Sequence, residues 1–277
     1  VHAENPGAES NAERNNGENM TFCLGMKVQE GLVGIADTRV TSGSECITAR
    51  KVSVYQGDRW SMFLMTSGLR SVRDKALTYF DELMEDPEAS HPDRMFKVVS
   101  LFADQIRRVS REDKEFLEEA GLSFNIHVLV GGQMERDAEH KLYMIYPQGN
   151  WVEVGPGTPY HIIGASGYGK PVLDRTLQYD DTMRFALKVG CLAFDSTRIS
   201  AADVDFPVDI LLYARDSFQM VTQRFQKDDL VEISEWWQER LRTSIRELSM
   251  SWMEPLLKQM PPGSTAPPPS AQRRHEA

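Results

Sequence analysis

A polar stretch gives way at Met20-Thr21 to two apolar runs of strand length, Phe22–Val28 and Leu32–Ala36, parted only by "QEG". A second pair, Lys51–Tyr55 and Met62–Thr66, is separated by "QGDRW", another short turn signal. Two helices are predicted next. The shorter is Ser71–Leu83. The longer, Pro92–Glu119, places Met95, Val98, Val99, Phe102, Ile106 and Val109 at helical spacing. Strands return at Ser123–Val130, where Phe124, Ile126, Val128 and Val130 alternate with other residues, then at Leu142–Tyr146 and Tyr160–Ile163. Helices are predicted over Pro171–Gln178 and Met183–Asp195, strands over Ile210–Ala214 and Met220–Arg224, and a last helix over Leu230–Met250. Hairpin-linked strand blocks alternating with helix pairs predict antiparallel sheets covered by helices rather than one parallel sheet. The expected fold is α+β: two sheets face to face, with helices on both outer faces.

The ends differ from this region. Residues 1–20 are expected to be a disordered leader or mis-assigned upstream sequence, 21–258 the globular domain, and 259–277 a Pro-rich disordered tail. The opening residues have neither the basic start nor the apolar core of a secretory signal. No run approaches the roughly 20 apolar residues that span a bilayer. The 277 residues are 41% hydrophobic, ample for a core, and carry a net charge of −10. That charge argues against nucleic acid or an anionic membrane as partner, since phosphate contacts need clustered Lys and Arg. The three cysteines, Cys23, Cys46 and Cys191, have no metal-ligand spacing and read as small buried hydrophobes in a reducing compartment. The composition is that of a soluble, acidic, cytoplasmic protein.

Three residues at the ends of early strands could work together: Thr21, Asp37 and Lys51. A threonine hydroxyl needs a base, and a threonine at the start of a chain supplies its own α-amine. That amine has a pKa near ~7.7–8, against ~10.4 for lysine. A nearby Lys51 ammonium would lower it further and keep it neutral, while Asp37 would hold the ammonium in place. Taken singly, Thr21 is an ordinary strand residue, Asp37 a turn residue after a strand, and Lys51 a solvated lysine beside Arg50. Their order and spacing raise the catalytic reading.

The segments "MTFCLGMKVQEGLVGIADTR", "ITARKVSVY", "LMTSGLR", "IIGASGYGKPVLDR" and "FPVDILLYARD" resemble the proteasome β-subunit superfamily, in particular the bacterial proteasome-related family Anbu (ancestral β-subunit). The resemblance spans nearly all of the globular region. It implies a four-layer αββα sandwich, the fold of N-terminal-nucleophile hydrolases. It makes Thr21 the nucleophile, its amine the general base, and Asp37 and Lys51 the pair that tunes that base. Gly68 matches the oxyanion donor, and Ser166 the serine bonding around the terminal amine. Thr41 matches the segment that pairs with extended substrate, while Thr66 and Arg70 flank the first specificity pocket. Ser200 and Asp203 stand where the superfamily has an Asp followed three residues later by a Ser, so the residue types are exchanged. The implied partners are peptides or unfolded protein and further copies of the chain, in a ring or an open lock-washer spiral. Neither cofactor nor metal is implied.

Superfamily propeptides are cut after glycine, whereas Met20 precedes Thr21 here. Removal of an initiator Met20 by methionine aminopeptidase would expose Thr21 without self-cleavage. Two other readings compete. Gly164, Gly169 and Lys170 fit G-x-x-x-x-G-K, but Pro171 replaces the Mg²⁺-binding hydroxyl and Asp216 lies past its apolar run, which disfavours a nucleotide site. A chain whose Thr21 stays blocked would instead be a non-catalytic ring or scaffold subunit. His127 and His161 read as packing or solvent-facing residues. The helix bearing Trp236 and Trp237 is expected to pack on the sandwich or to meet another copy.

Overall fold

The computed structural model describes residues 21–42, 45–85 and 92–261. The expectations for residues 1–20, including Met20, and for most of the tail lie outside the described residues. The chain divides into two compact units, 1–234 and 235–277.

Within the first unit, strict alternation of side chains decides the architecture. In β1 (Phe22–Val28), Phe22, Leu24, Met26 and Val28 enter one apolar cluster and Cys23 another. In β6 (Trp60–Gly68), Met62 and Leu64 face one cluster while Phe63 and Met65 face the other. Successive residues of a strand point to opposite faces, so strands apolar on both faces must be covered twice. The first sheet has the order β10-β1-β2-β11-β12, with β2 Gly31–Asp37, β10 Tyr160–Gly164, β11 Val208–Ala214 and β12 Met220–Phe225. The second runs β5-β6-β7-β8-β9, with β5 Val52–Gly57, β7 Ile126–Gln133, β8 Lys141–Ile145 and β9 Trp151–Glu153. Every strand pair is antiparallel. The inward faces meet in a cluster containing Cys23, Ala36, Phe63, Leu129, Leu142 and Leu211. Helices α3 (Lys170–Thr176) and α4 (Met183–Ser200) cover the first sheet. Helices α1 (Arg70–Glu85) and α2 (Met95–Glu119) cover the second. The result is the four-layer αββα sandwich expected from the sequence.

The predicted elements recur with ends shifted by a few residues. A small hairpin of β3 (Arg39–Ser42) and β4 (Glu45–Thr48) was not predicted, nor was β9. Both are short, and β9 is wholly exposed, so neither carries an apolar alternation. Helix α5 (Val231–Glu247) straddles the boundary between the two units. In the second unit, Trp236 and Trp237 stack with centroids 6.4 Å apart, and a short helix, α6 (Glu254–Leu257), follows. Among the described residues no helix is long and apolar enough to cross a membrane.

At the far end of β1 the alternation turns Lys27 inward, where it is 2% exposed. A buried ammonium needs partners. Its Nζ lies 3.1 Å from Glu139 and 3.8 Å from Glu153, and Lys141 bridges the same two carboxylates at 3.1 and 2.9 Å. This network joins the two sheets. Burial acts to raise the Glu139 carboxyl, but the bonds from Lys141 and Lys27 outweigh it and hold it below its ordinary range. A depressed carboxyl stabilises the fold above its unfolded pKa, and that contribution is lost as pH falls through the lowered value. Glu139→Gln is therefore expected to cost about 1–3 kcal/mol at neutral pH and to flatten the acid limb of stability below pH 4.5. Urea midpoints measured across pH check this. An unchanged acid limb would contradict it.

Candidate active site

Thr21 stands just before β1, held there from both sides. Its carbonyl accepts the Ala165 N–H at 2.7 Å, at the end of β10. Gly164 makes this approach possible. Its φ is +89°, and a Cβ on it would lie 2.0 Å from the Thr21 carbonyl oxygen. No side chain fits there.

On the other side, Asp37 ends β2 and is 0% exposed. Its Oδ1 accepts three bonds: from Thr21 Oγ1 at 2.8 Å, from the Phe22 N–H at 2.7 Å, and from Lys51 Nζ at 2.8 Å. Lys51 comes from the second sheet's leading edge, immediately before β5, and also donates to the Arg39 carbonyl at 2.6 Å. Thr21 and Lys51 are only 3% and 6% exposed. Asp37 Oδ2 is buried and has no partner among the described residues. Burial pushes the Asp37 carboxyl above its ordinary range, opposed by the Lys51 ammonium and by the three donors. An ammonium, a carboxylate and a hydroxyl thus meet where little water reaches, so their interactions are stronger than at the surface. Cys23, next but one along β1, is no rival nucleophile. Burial pushes its thiol up to about 12, and its Sγ lies 3.8 Å from the Thr66 carbonyl oxygen.

No protein-family model matches the chain, and no curated protein does. Solved structures do. Anbu (ancestral beta-subunit) from Yersinia bercovieri is 29% identical, with a TM-score of 0.77 over 83% of this chain and 98% of that one. The structure described as the helical assembly of the Anbu complex from Pseudomonas aeruginosa is 28% identical, with a TM-score of 0.77 over 89% and 100%. Anbu from Hyphomicrobium sp. strain MC1 is 27% identical, with a TM-score of 0.75 over 83% and 98%. These likenesses support an Anbu-family assignment.

The other residues singled out from the sequence fall into three groups. Two lie by the Thr21–Asp37–Lys51 cluster, Ser166 and Thr66, and Gly68 follows two residues after Thr66. Ser166 follows directly on Ala165, and its exposed hydroxyl bonds no described residue. Thr66 sits opposite Lys51, donating its N–H to the Lys51 carbonyl at 3.3 Å. Its buried Oγ1 has no partner among the described residues. Gly68 ends β6 at φ +124°, and a Cβ there would stand 2.3 Å from the Asn125 carbonyl oxygen.

A second group is placed more loosely. Arg70 opens α1 and pairs with Asp74 at 3.3 Å. Thr41 lies in β3 opposite Cys46, and its side chain is outside the described residues. The third group, Ser200 and Asp203, is not joined to Thr21. Ser200 is the exposed last residue of α4, Asp203 lies in the following loop, and neither side chain bonds a described residue.

The glycine-rich turn after β10 has a different use from the nucleotide reading. Gly164 admits Thr21, and Lys170 is engaged by Asp174 at 2.9 Å and by the Tyr160 hydroxyl at 3.0 Å. Among the described residues no group of His, Cys, Asp or Glu is placed to hold a metal. Sequence reasoning missed two participants, the Arg39 carbonyl and the Ala165 N–H. Backbone groups leave no residue-type signal. A glycine ending β10 was the available hint.

The buried pair yields a prediction. Asp37→Asn leaves the Lys51 ammonium buried beside only a carbonyl and an amide, and is expected to cost about 3–5 kcal/mol. The double variant Asp37→Asn, Lys51→Met should recover much of this. Denaturant midpoints of the three proteins decide it, and a double variant no more stable than the single one would contradict the pairing argument.

Proposed function

We propose that the chain is an N-terminal threonine hydrolase of proteasome type, a peptidase that cleaves amide bonds through an acyl-ester on Thr21. The observation that carries this reading is the convergence of Thr21 Oγ1 and Lys51 Nζ on one buried oxygen of Asp37. A hydroxyl in such a position needs only a base and an oxyanion donor to become a nucleophile.

In the reaction, Thr21 is the first residue of the active chain, released from residues 1–20. Its neutral amine takes the hydroxyl proton as Oγ1 bonds to the scissile carbonyl carbon. The Lys51 ammonium favours the neutral amine by like-charge repulsion, and Asp37 keeps that ammonium charged and fixed. The Gly68 N–H stabilises the oxyanion, a contribution of about 3–4 kcal/mol for a preorganised donor. The amine then passes the proton to the leaving nitrogen as the C–N bond breaks. In the second half, the same amine deprotonates water, which attacks the ester and restores the hydroxyl. Ser166, next to the Ala165 amide that holds Thr21, would hydrogen-bond the amine once it is freed, while Ser200 and Asp203, which touch no residue of the site, are given no step. Thr41 pairs with extended substrate, and Thr66 and Arg70 flank its first side-chain pocket. No cofactor takes part.

The Pseudomonas aeruginosa relative is described as a helical assembly. We extend self-association to this chain, as a ring or an open lock-washer spiral in the cytoplasm. A heterologous contact closes into a ring or runs on as a helix, depending on its rotation. Enclosure would admit peptides and unfolded segments to Thr21.

An epoxyketone or β-lactone directed at terminal threonines tests the reading. One equivalent should attach to the mature chain at Thr21, with none in Thr21→Ala and at least tenfold slower labelling in Lys51→Gln. Labelling that persists in Thr21→Ala would overturn the assigned nucleophile. Absence of labelling and of peptide cleavage in the mature chain would favour a scaffold subunit.

A further inference from the structure

The two sheets do not close against each other along their β5 and β12 edges. These edges are bridged at one end, where the Met220 N–H donates to the Gln56 side chain at 3.0 Å. Near the other end lies a recess of about 290 Å³, lined by Arg50, Asp209, Thr222, Gln223 and Arg224. Its electrostatics are built rather than incidental. Arg224 Nε and Nη2 grip the two oxygens of Asp209 at 2.7 and 2.9 Å. That fork consumes the acceptors of Asp209, whose side chain is 10% exposed, and fixes the Arg224 plane. The second guanidinium, Arg50, is exposed and forms no ion pair with any described residue. The recess therefore carries two guanidiniums against one carboxylate, in a chain whose net charge is −10. Among the described residues, neighbouring charges do not cancel the excess. Lys51 is paired with Asp37, and Arg39 with Asp205 at 3.4 Å. Thr222 and Gln223 add neutral hydrogen-bonding groups.

The recess also has a fixed relation to Thr21. Asp209 pairs with Ala36, and Ala36 with Cys23. Two inter-strand spacings separate Cys23 from Asp209, about 10 Å, so Thr21 lies roughly 12 Å from Asp209. Extended peptide covers that distance in about four residues. Arg50 itself is the residue before Lys51.

We propose that this recess binds a carboxylate, and that the carboxylate belongs to the peptide substrate at about four residues from the bond attacked by Thr21. The guanidinium group is suited to this ligand because its planar donors match two carboxylate oxygens. The assignment rests on the hydrolase reading for the word substrate, but not for the binding. The preferred substrates would be acidic peptides or peptides held by their C-terminus.

Binding is measured first, without turnover, on the Thr21→Ala chain titrated with N-acetyl-glutamate and followed by NMR. Saturable binding is expected, weakened at least tenfold by Arg50→Gln and by raised salt, with N-acetyl-glutamine amide, which carries no carboxylate, inert. Arg224→Gln should weaken it too, but it strands Asp209, so Arg50→Gln is the cleaner variant. Equal binding of the acid and the amide, or no effect of Arg50→Gln, would overturn the site. Kinetics on the mature chain then separate the sources. A series with Glu or Gln at successive positions, each with a free or amidated C-terminus, should show a several-fold lower KM for one form of carboxylate. Arg50→Gln should abolish that difference. A difference following Glu assigns an acidic side chain, and one following the free end assigns a C-terminus. No difference in active enzyme would overturn the substrate assignment. Carboxylate binding in a chain that cleaves nothing would overturn the hydrolase reading and leave the site intact.

Discussion

A single carboxylate oxygen does an unusual share of the work in this molecule. Asp37 Oδ1 takes the Thr21 hydroxyl, the Phe22 amide and the Lys51 ammonium together. Asp37 belongs to the first sheet and Lys51 to the leading edge of the second, so the pair ties the two layers at the mouth of the sandwich. Removing both charges from water costs several kcal/mol per ion. The attraction between them offsets this only because the geometry is short and every ammonium contact is an acceptor. The raised carboxyl of Asp37 is the residue of that cost. A site assembled in this way cannot drift far without stranding a charge.

The surrounding fold serves this constraint. Two sheets, each apolar on both faces, supply a rigid frame whose inward cluster reaches Cys23 beneath Thr21 and Val52 beside Lys51. The Gly164 turn clasps the Thr21 carbonyl from the neighbouring strand. At the other end of β1, the Lys27 network repeats the device of charges joining the sheets, in a position with no nucleophile.

Much of this was legible in the sequence. The apolar run of Phe22–Val28, the alternation up to Val130 and the helical spacing of Met95 to Val109 dictate buried strands and an amphipathic helix, and these are where they were expected. Thr21, Asp37 and Lys51 stood out because their chemistry requires those residue types in that order. What was not legible depends on backbone placement. The β3–β4 hairpin is too short for a period, and the Arg39 carbonyl and Ala165 amide belong to no residue type. Gly164 was visible, but only as part of a G-x-x-x-x-G-K match that Pro171 already disfavoured, whereas its actual neighbour is the Thr21 carbonyl. The Arg224–Asp209 fork joins directly paired positions on β11 and β12, and that register emerges only once the strands are matched.

The chemistry proposed for Thr21 needs a free amine. The decisive measurement is the mature N-terminus of the protein made from its native locus, by Edman degradation or intact mass. The account predicts a chain beginning at Thr21 with residues 1–20 absent. A catalytically competent preparation that retains residues upstream of Thr21 would contradict it, since the amine could then not be the base.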